Sequence, residues 1–146
     1  MEMTDFTLHG SNVLVMGFGK IGKILSKMLS GIGAKVYCEA RKEKDIAMIR
    51  AMGYNYVRLN DLEEVLPKID VVFNTIPFVI LDSDKLDLLK KECNVIDLAS
   101  SPGGIDFVSA KEKGINVVWA LALPSKIAPL SAANYIKETV DKIIEK

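Results

Sequence analysis

One short stretch constrains the possible folds of this chain more than any other. The segment NVLVMGFGKIGKIL, residues 12–25, passes from an apolar run through three closely spaced glycines directly into a helical pattern. The apolar run is short and rich in valine, as expected of a strand that is buried on both faces. The apolar residues that follow the glycines share one helical face: Ile21, Ile24, Leu25, Met28 and Leu29. The segment therefore predicts a strand, a glycine turn and a helix in immediate succession.

The same alternation of strand and helix patterns continues along the whole chain. Six apolar runs predict strands, at residues 13–16, 36–38, 54–57, 71–73, 95–98 and 117–119. Helical patterns occupy residues 20–31, 44–52, 62–66, 83–91, 107–113 and 129–146. Such alternation implies a parallel sheet with right-handed crossovers. We therefore predict one α/β domain over residues 1–146. Its fold should be Rossmann-type and doubly wound, with a mainly parallel six-stranded sheet of order 3-2-1-4-5-6 in a three-layer α/β/α arrangement.

The glycine turn, GFGKIG, matches the pattern G-x-G-x-x-G. Its position between a strand and a helix is the context in which that pattern binds dinucleotides. The first glycine permits the tight turn, the second lets a pyrophosphate approach the backbone, and the third lets the helix pack close to the strand. The helix N-terminus then faces the phosphates. The residues predicted to bind cofactor here are Gly17, Phe18, Gly19, Lys20, Ile21 and Gly22. The alternative is a turn whose glycines serve packing alone.

The end of the second strand decides between the two nicotinamide dinucleotides. An NAD site places an acidic residue there, which accepts from the ribose 2′-hydroxyl. Counting from the glycines puts Ala40 at that position, with Glu39 on the other face of the strand. Arg41 and Lys42 follow, and two cations suit the 2′-phosphate of NADP. We therefore predict NADP, with NAD as the alternative if the register slips by one residue and Glu39 faces the ribose.

Three later loops should lie at the same edge of the sheet, where open α/β sheets bind their ligands. They are NTIP after the fourth strand, DLASSPGG after the fifth and ALALPSKIAP after the sixth. The predicted cofactor-binding residues in these loops are Thr75, Ile76, Pro77, Asp97, Ala99 and Ser100. Asp97 ends a strand, and a role in ordering its loop is favoured over a role as a base. Tight strand-to-helix turns are the alternative explanation of these loops.

No catalytic pair is evident, so the catalytic residues stay unassigned. The one histidine, His9, precedes the first strand, and no cluster of histidine, cysteine and carboxylate residues suggests a metal site. Cys38 and Cys93 lack metal or disulfide spacing and are interpreted as packing residues.

Charge and hydropathy narrow the possible partners. The formal net charge is zero, which argues against nucleic acid and anionic membranes. No apolar run approaches the roughly 20 residues that span a bilayer. The N-terminal segment MEMTDFTLHG lacks the basic and apolar regions of a secretory signal, so we expect a cytoplasmic protein.

Four segments resemble the C-terminal NAD(P)-binding domain of the dipicolinate synthase A subunit: TDFTLHGSNVLVMGFGKIG, NTIP, DLASSPGGIDF and LPSKIAP. The resemblance runs from about residue 4 to about residue 144. The T-D-x-x-x-x-G segment also occurs in adenosylhomocysteinases and 2-hydroxyacid dehydrogenases. The pattern DLAS-x-PGG-x-DF is narrower and favours the dipicolinate family.

This resemblance implies an oxidoreductase that forms pyridine-2,6-dicarboxylate during sporulation. The implied reaction begins with loss of water from the cyclic product of dihydrodipicolinate-synthase chemistry. The resulting dihydropyridine dicarboxylate then gives a hydride to the nicotinamide. A B subunit similar to flavoproteins is the implied partner, and a homo-oligomer is possible. The family's A-R-[SK]-like turn matches residues 40–42, which agrees with NADP.

The chain departs from the dipicolinate pattern in two respects. ALALPS, residues 120–125, replaces a P-G-L-P-G motif, and Leu130 stands where the family has lysine. The family's N-terminal domain is also absent, so we expect the isolated chain to bind nucleotide but turn over little. Two alternatives remain: an NAD-binding domain related to 2-hydroxyacid dehydrogenases or adenosylhomocysteinase, and a non-catalytic nucleotide-binding module.

Overall fold

The computed structural model describes residues 8–100 and 103–119, in which strands and helices alternate. The strands are β1 (Asn12–Met16), β2 (Lys35–Glu39), β3 (Asn55–Val57), β4 (Val71–Asn74), β5 (Asn94–Asp97) and β6 (Asn116–Trp119). The helices are α1 (Lys20–Gly31), α2 (Glu43–Ala51), α3 (Leu62–Val65), α4 (Ser83–Leu86) and α5 (Phe107–Glu112). Two 3-10 turns flank α3, at Leu59–Asp61 and Leu66–Lys68. Among the described residues, no helix has the length and apolar character needed to cross a bilayer.

The six strands form one sheet in the order β3-β2-β1-β4-β5-β6, and every neighbouring pair is parallel. The predicted fold class and strand order are confirmed. The strand order reverses between β1 and β4, and a crevice forms at the carboxyl ends of strands at such a switch point. The glycine turn leaves β1 at this edge, so the topology places it where an α/β sheet binds ligands.

The sheet is buried on both faces by two apolar clusters. One contains Leu25 and Leu29 of α1 and Ile49 of α2, and it packs on Val13 and Val15 of β1. The other cluster contains Leu14 and Met16 on the opposite face of β1, and it includes one residue from each of the remaining helices: Leu62, Leu86 and Ala110. Alternate residues of β1 therefore face different helical layers, as the period of a strand requires.

Two helix predictions need comment. The predicted helix at residues 83–91 is wrong in length, because α4 ends at Leu86. After that residue, Leu88 donates to Lys85 and Leu89 to Leu86, so three-residue turns replace the four-residue spacing of an α-helix. The predicted helix at residues 129–146 lies outside the described residues.

Both cysteines are buried free thiols, as expected of packing residues. Burial raises the pKa of the Cys38 thiol to about 11 and that of Cys93 to about 12. Cys38 also contacts the Ser26 hydroxyl, at 3.3 Å between sulfur and oxygen. Both thiols therefore stay protonated at neutral pH.

Candidate functional site

Two glycines of the turn are required by packing within the protein. Gly17 has a φ of +92°, which disfavours any side chain, and a Cβ there would collide with Oγ1 of Thr75. A Cβ on Gly22 would collide with the carbonyl oxygen of Gly17, so only glycine lets α1 pass this close to the turn. The fold by itself thus explains the first and third glycines of the pattern.

The second glycine has no such explanation. A Cβ on Gly19 would meet no protein atom within 4 Å, and its φ of −81° is open to any residue. Gly19 is the N-cap of α1, and no side chain caps this helix or places a carboxylate in its first turn. The first backbone N–H groups of a helix have no partner within it and carry partial positive charge. The space beside Gly19 therefore suits an anionic group that must come close to the backbone.

An open cleft joins this turn to the end of β2. Its lining residues are Gly17, Phe18, Gly19, Glu39, Ala40, Arg41, Lys42, Asp45 and Ile76. The structure thereby brings together seven of the residues predicted from sequence, mostly from the glycine turn and the strand end. Among the described residues of the loops after β4 and β5, only Ile76 reaches this cleft.

The end of β2 presents two cations beside a small side chain. Ala40 is buried in the same apolar cluster as Val36 and Cys38, so it lies on the same face of β2 as these two residues, and it also lines the cleft. Arg41 and Lys42 are exposed. Among the described residues, no salt bridge joins either cation to a carboxylate. Both cations therefore remain available to an anion entering the cleft.

Two carboxylates also line the cleft: Glu39, which was predicted only as the alternative contact for an NAD ribose, and Asp45, which was not predicted. Glu39 is 2% exposed, and its Oε1 accepts from the backbone N–H of Gly17 at 3.1 Å. Burial raises the pKa of the Glu39 carboxyl, an effect opposed by the Gly17 hydrogen bond and by the charge of Arg41. Asp45 in α2 pairs with Lys23 of α1 at 3.5 Å. Strand parity predicts that Glu39 and Ala40 lie on opposite faces of β2, yet both residues line the cleft. Parity does not reveal that the Glu39 carboxylate reaches back to the turn.

Asp97 orders the loop after β5. The side chain is fully buried, and its Oδ1 accepts from Asn74 Nδ2 and from the Ala99 N–H, both at 3.0 Å. Its Oδ2 accepts from the Gly104 N–H at 2.8 Å. Asn74 in turn exchanges two hydrogen bonds with the backbone of Ile76. Asp97 and Asn74 thus join the loops after β4 and β5, and the Asp97 side chain shapes the site without facing the cleft.

The remaining predicted residues lie near the cleft without lining it. Thr75 donates to the Met16 carbonyl at 2.7 Å, which ties the β4 loop to β1. Ala99 is buried, and its carbonyl accepts from the Trp119 indole at 3.0 Å. Lys20, Ile21 and Gly22 form the first turn of α1. Pro77 and Ser100 are exposed residues of the loops after β4 and β5.

His9 lies at the opposite edge of the sheet. Its ring packs against Gly33, which precedes β2 at the amino end of the strands. Within the described part of the chain, the cleft therefore contains no histidine.

Comparisons with known proteins agree with this geometry. The chain is 35% identical over 144 residues to the dipicolinate synthase A subunit of Bacillus subtilis, covering 99% of this chain and 48% of that protein. The crystal structure of the same enzyme component from Bacillus halodurans has a TM-score of 0.79 and 35% identity over 98% of this chain and 49% of its own. The resemblance seen in the sequence is confirmed, and the chain spans about half the length of these relatives.

A more distant structure shares the fold. Salmonella D-lactate dehydrogenase has a TM-score of 0.68 at 18% identity, over 98% of this chain and 55% of its own. The model of the D-isomer specific 2-hydroxyacid dehydrogenase NAD binding domain matches residues 1–102. A nicotinamide dinucleotide is the cofactor of that family. With the turn, the cleft and the strand order, this match shows that the chain belongs to the family of D-isomer specific 2-hydroxyacid dehydrogenase NAD-binding domains.

Proposed function

We propose that this chain is the NADP-binding domain of an oxidoreductase of the dipicolinate synthase type. The observation that carries the proposal is the open space at Gly19, since no protein atom lies within 4 Å of a Cβ placed there. A pyrophosphate is the group that requires a glycine at this position of the pattern. The uncapped N-terminus of α1 supplies the N–H donors for it.

The choice of NADP depends on the charges at the end of β2. Ala40 stands where an NAD site has a carboxylate, and Arg41 and Lys42 line the cleft beside it. The two carboxylates of the cleft are already engaged, Glu39 with the Gly17 N–H and Asp45 with Lys23. A 2′-phosphate therefore meets two available cations, of which the arginine can bind it with two parallel hydrogen bonds.

The proposed reaction is the oxidation of a dihydropyridine dicarboxylate to pyridine-2,6-dicarboxylate, in sporulating cells and together with a B subunit. Its support is the 35% identity to the dipicolinate synthase of Bacillus subtilis. The bound dinucleotide would accept the hydride. In this chain, hydrogen bonds of Asn74 and Asp97 join the loops after β4 and β5, which would border the nicotinamide in this proposal. Leu130, which replaces a lysine of the resembled family, lies outside the described residues.

Calorimetric titration of NADP and NAD tests the cofactor assignment. A hydrogen bond to a charged group contributes about 1.5–3 kcal/mol, or roughly 10- to 150-fold in affinity. Arg41 is exposed and screened by salt, so Arg41→Ala should weaken NADP by about tenfold and leave NAD nearly unchanged. Arg50→Ala is the matched control, because Arg50 is also an exposed arginine over an aromatic ring, that of Tyr56, but does not line the cleft. Equal or tighter binding of NAD by the parent chain would overturn the assignment.

The two carboxylates of the cleft favour an NAD-binding domain as the second candidate. Asp45 would need only to leave Lys23, at 3.5 Å, to accept from a ribose hydroxyl. In that case Asp45→Asn or Glu39→Gln would weaken NAD binding, and Arg41→Ala would not alter the binding of either nucleotide.

A further inference from the structure

An aromatic side chain in the loop after β4 is not explained by the apolar core. Phe78 is 45% exposed and Val79 is 51% exposed, although both follow a strand that is buried along its whole length. Neither residue belongs to the two apolar clusters. A half-exposed phenylalanine forgoes part of the roughly 1.5–3 kcal/mol that full burial provides, so the apolar core does not account for the position of Phe78.

The ring of Phe78 contacts one of the two cations of the cleft. The Arg41 guanidinium carbon lies 5.7 Å from the centre of the ring, within the range of a cation–π interaction. Arg41 follows β2 and Phe78 follows β4, and these strands pair with opposite edges of β1. The contact therefore crosses the carboxyl end of β1, from which the glycine turn emerges.

This contact leaves the hydrogen-bonding groups of the arginine unused. A cation–π contact uses none of the guanidinium N–H donors, and among the described residues Arg41 makes no salt bridge, so these donors are free for another partner. A salt bridge would instead consume those donors. The charge of Arg41 lowers the pKa of the Glu39 carboxyl, but the Oε1 of Glu39 accepts a hydrogen bond from the Gly17 N–H. The ring thus restricts the arginine without neutralising it.

We propose that Phe78 is a positioning residue for Arg41: its ring holds the guanidinium at the cleft so that the in-plane N–H groups bind the 2′-phosphate of NADP. The inference rests on the proposed NADP site and adds a residue from another loop to it. Phe78 acts through Arg41, so its substitution should affect NADP more than NAD. An apolar residue of similar size should not replace it, whereas another aromatic ring should.

The contact itself is testable in the nucleotide-free protein by NMR. Ring currents of Phe78 should shift the side-chain proton resonances of Arg41, and Phe78→Leu should remove that shift. Phe78→Tyr should keep it, and Val79→Ala, at a neighbouring exposed position, should leave it unchanged. Arg41 resonances that are the same in the parent and in Phe78→Leu would overturn the proposal, whether or not any nucleotide binds.

Titration then separates this inference from the cofactor assignment. Phe78→Leu should weaken NADP by about two- to fivefold, the range of an exposed cation–π contact, and leave NAD within error. Phe78→Tyr should restore the parent affinity. In the Arg41→Ala background, Phe78→Leu should have no further effect. If the parent prefers NADP but the effects of Phe78→Leu and Arg41→Ala on NADP affinity are additive, the role proposed for Phe78 is wrong and the cofactor assignment stands. If the parent shows no preference for NADP, both the cofactor assignment and the role of Phe78 are wrong.

Discussion

Alanine substitutions at three glycines of the first βα unit distinguish packing from ligand contact. Gly22→Ala places its Cβ against the carbonyl oxygen of Gly17, a backbone atom that cannot rotate away. Gly19→Ala and Gly31→Ala each place a Cβ where no protein atom lies within 4 Å, and neither glycine has a positive φ. We therefore expect Gly22→Ala to destabilise the fold, Gly19→Ala to weaken nucleotide binding, and Gly31→Ala to do neither.

The expected magnitudes differ enough to be measured. Overpacking typically costs about 1–3 kcal/mol, and a rigid obstacle favours the upper end. Alanine recovers roughly 1 kcal/mol of helix propensity, so Gly22→Ala should lose about 2 kcal/mol of unfolding free energy. Gly19→Ala should cost no more than about 1 kcal/mol, the loss expected because alanine is a poorer N-cap than glycine. Its nucleotide affinity should fall by roughly 10- to 150-fold, because a hydrogen bond to a phosphate is worth about 1.5–3 kcal/mol.

Urea unfolding and calorimetric titration of NADP, carried out on the same three variants, provide the test. Gly31→Ala, which gains up to about 1 kcal/mol in the same helix, controls for the general effect of removing a glycine. Parent-like nucleotide affinity in Gly19→Ala would refute the role assigned to the open space. A Gly22→Ala variant as stable as the parent would refute the packing argument.

Two further predictions concern buried carboxylates. Burial raises the pKa of Glu39 above its ordinary value of 4.5, so the folded state binds this proton more tightly than the unfolded state. The contribution of Glu39 to the free energy of unfolding therefore falls as pH rises from about 4 through the folded-state pKa. Glu39→Gln should flatten that part of the curve in urea unfolding between about pH 4 and 7, and an unchanged curve would contradict it. Asp97→Ala leaves three buried donors without an acceptor and should cost at least about 3 kcal/mol, compared with about 1 kcal/mol for the exposed helix cap Asp82→Ala. Equal losses in the two variants would contradict the network.

Local pattern was sufficient to predict the fold. A short valine-rich run can be buried on both faces only inside a parallel sheet, and the helical patterns between such runs supply the crossovers. The glycine pattern also predicts where the chain turns, because Gly17 has a positive φ that other residues rarely adopt. Strand period likewise predicts that Glu39 and Ala40 lie on opposite faces of β2, and Ala40 does share its face with Val36 and Cys38. The length of α4 was not predictable in this way, since three- and four-residue turns have nearly the same apolar spacing.

Only the tertiary structure decided how the carboxyl ends of different strands meet. Glu39 is 22 residues from Gly17, and Asn74 is 23 residues from Asp97, so no local pattern reports either hydrogen bond. The contact between Arg41 and Phe78 arises because β2 and β4 flank β1 in the sheet. The sequence by itself determined which residue types stand at each strand end. Their mutual contacts were decided by the strand order, because it sets which ends become neighbours.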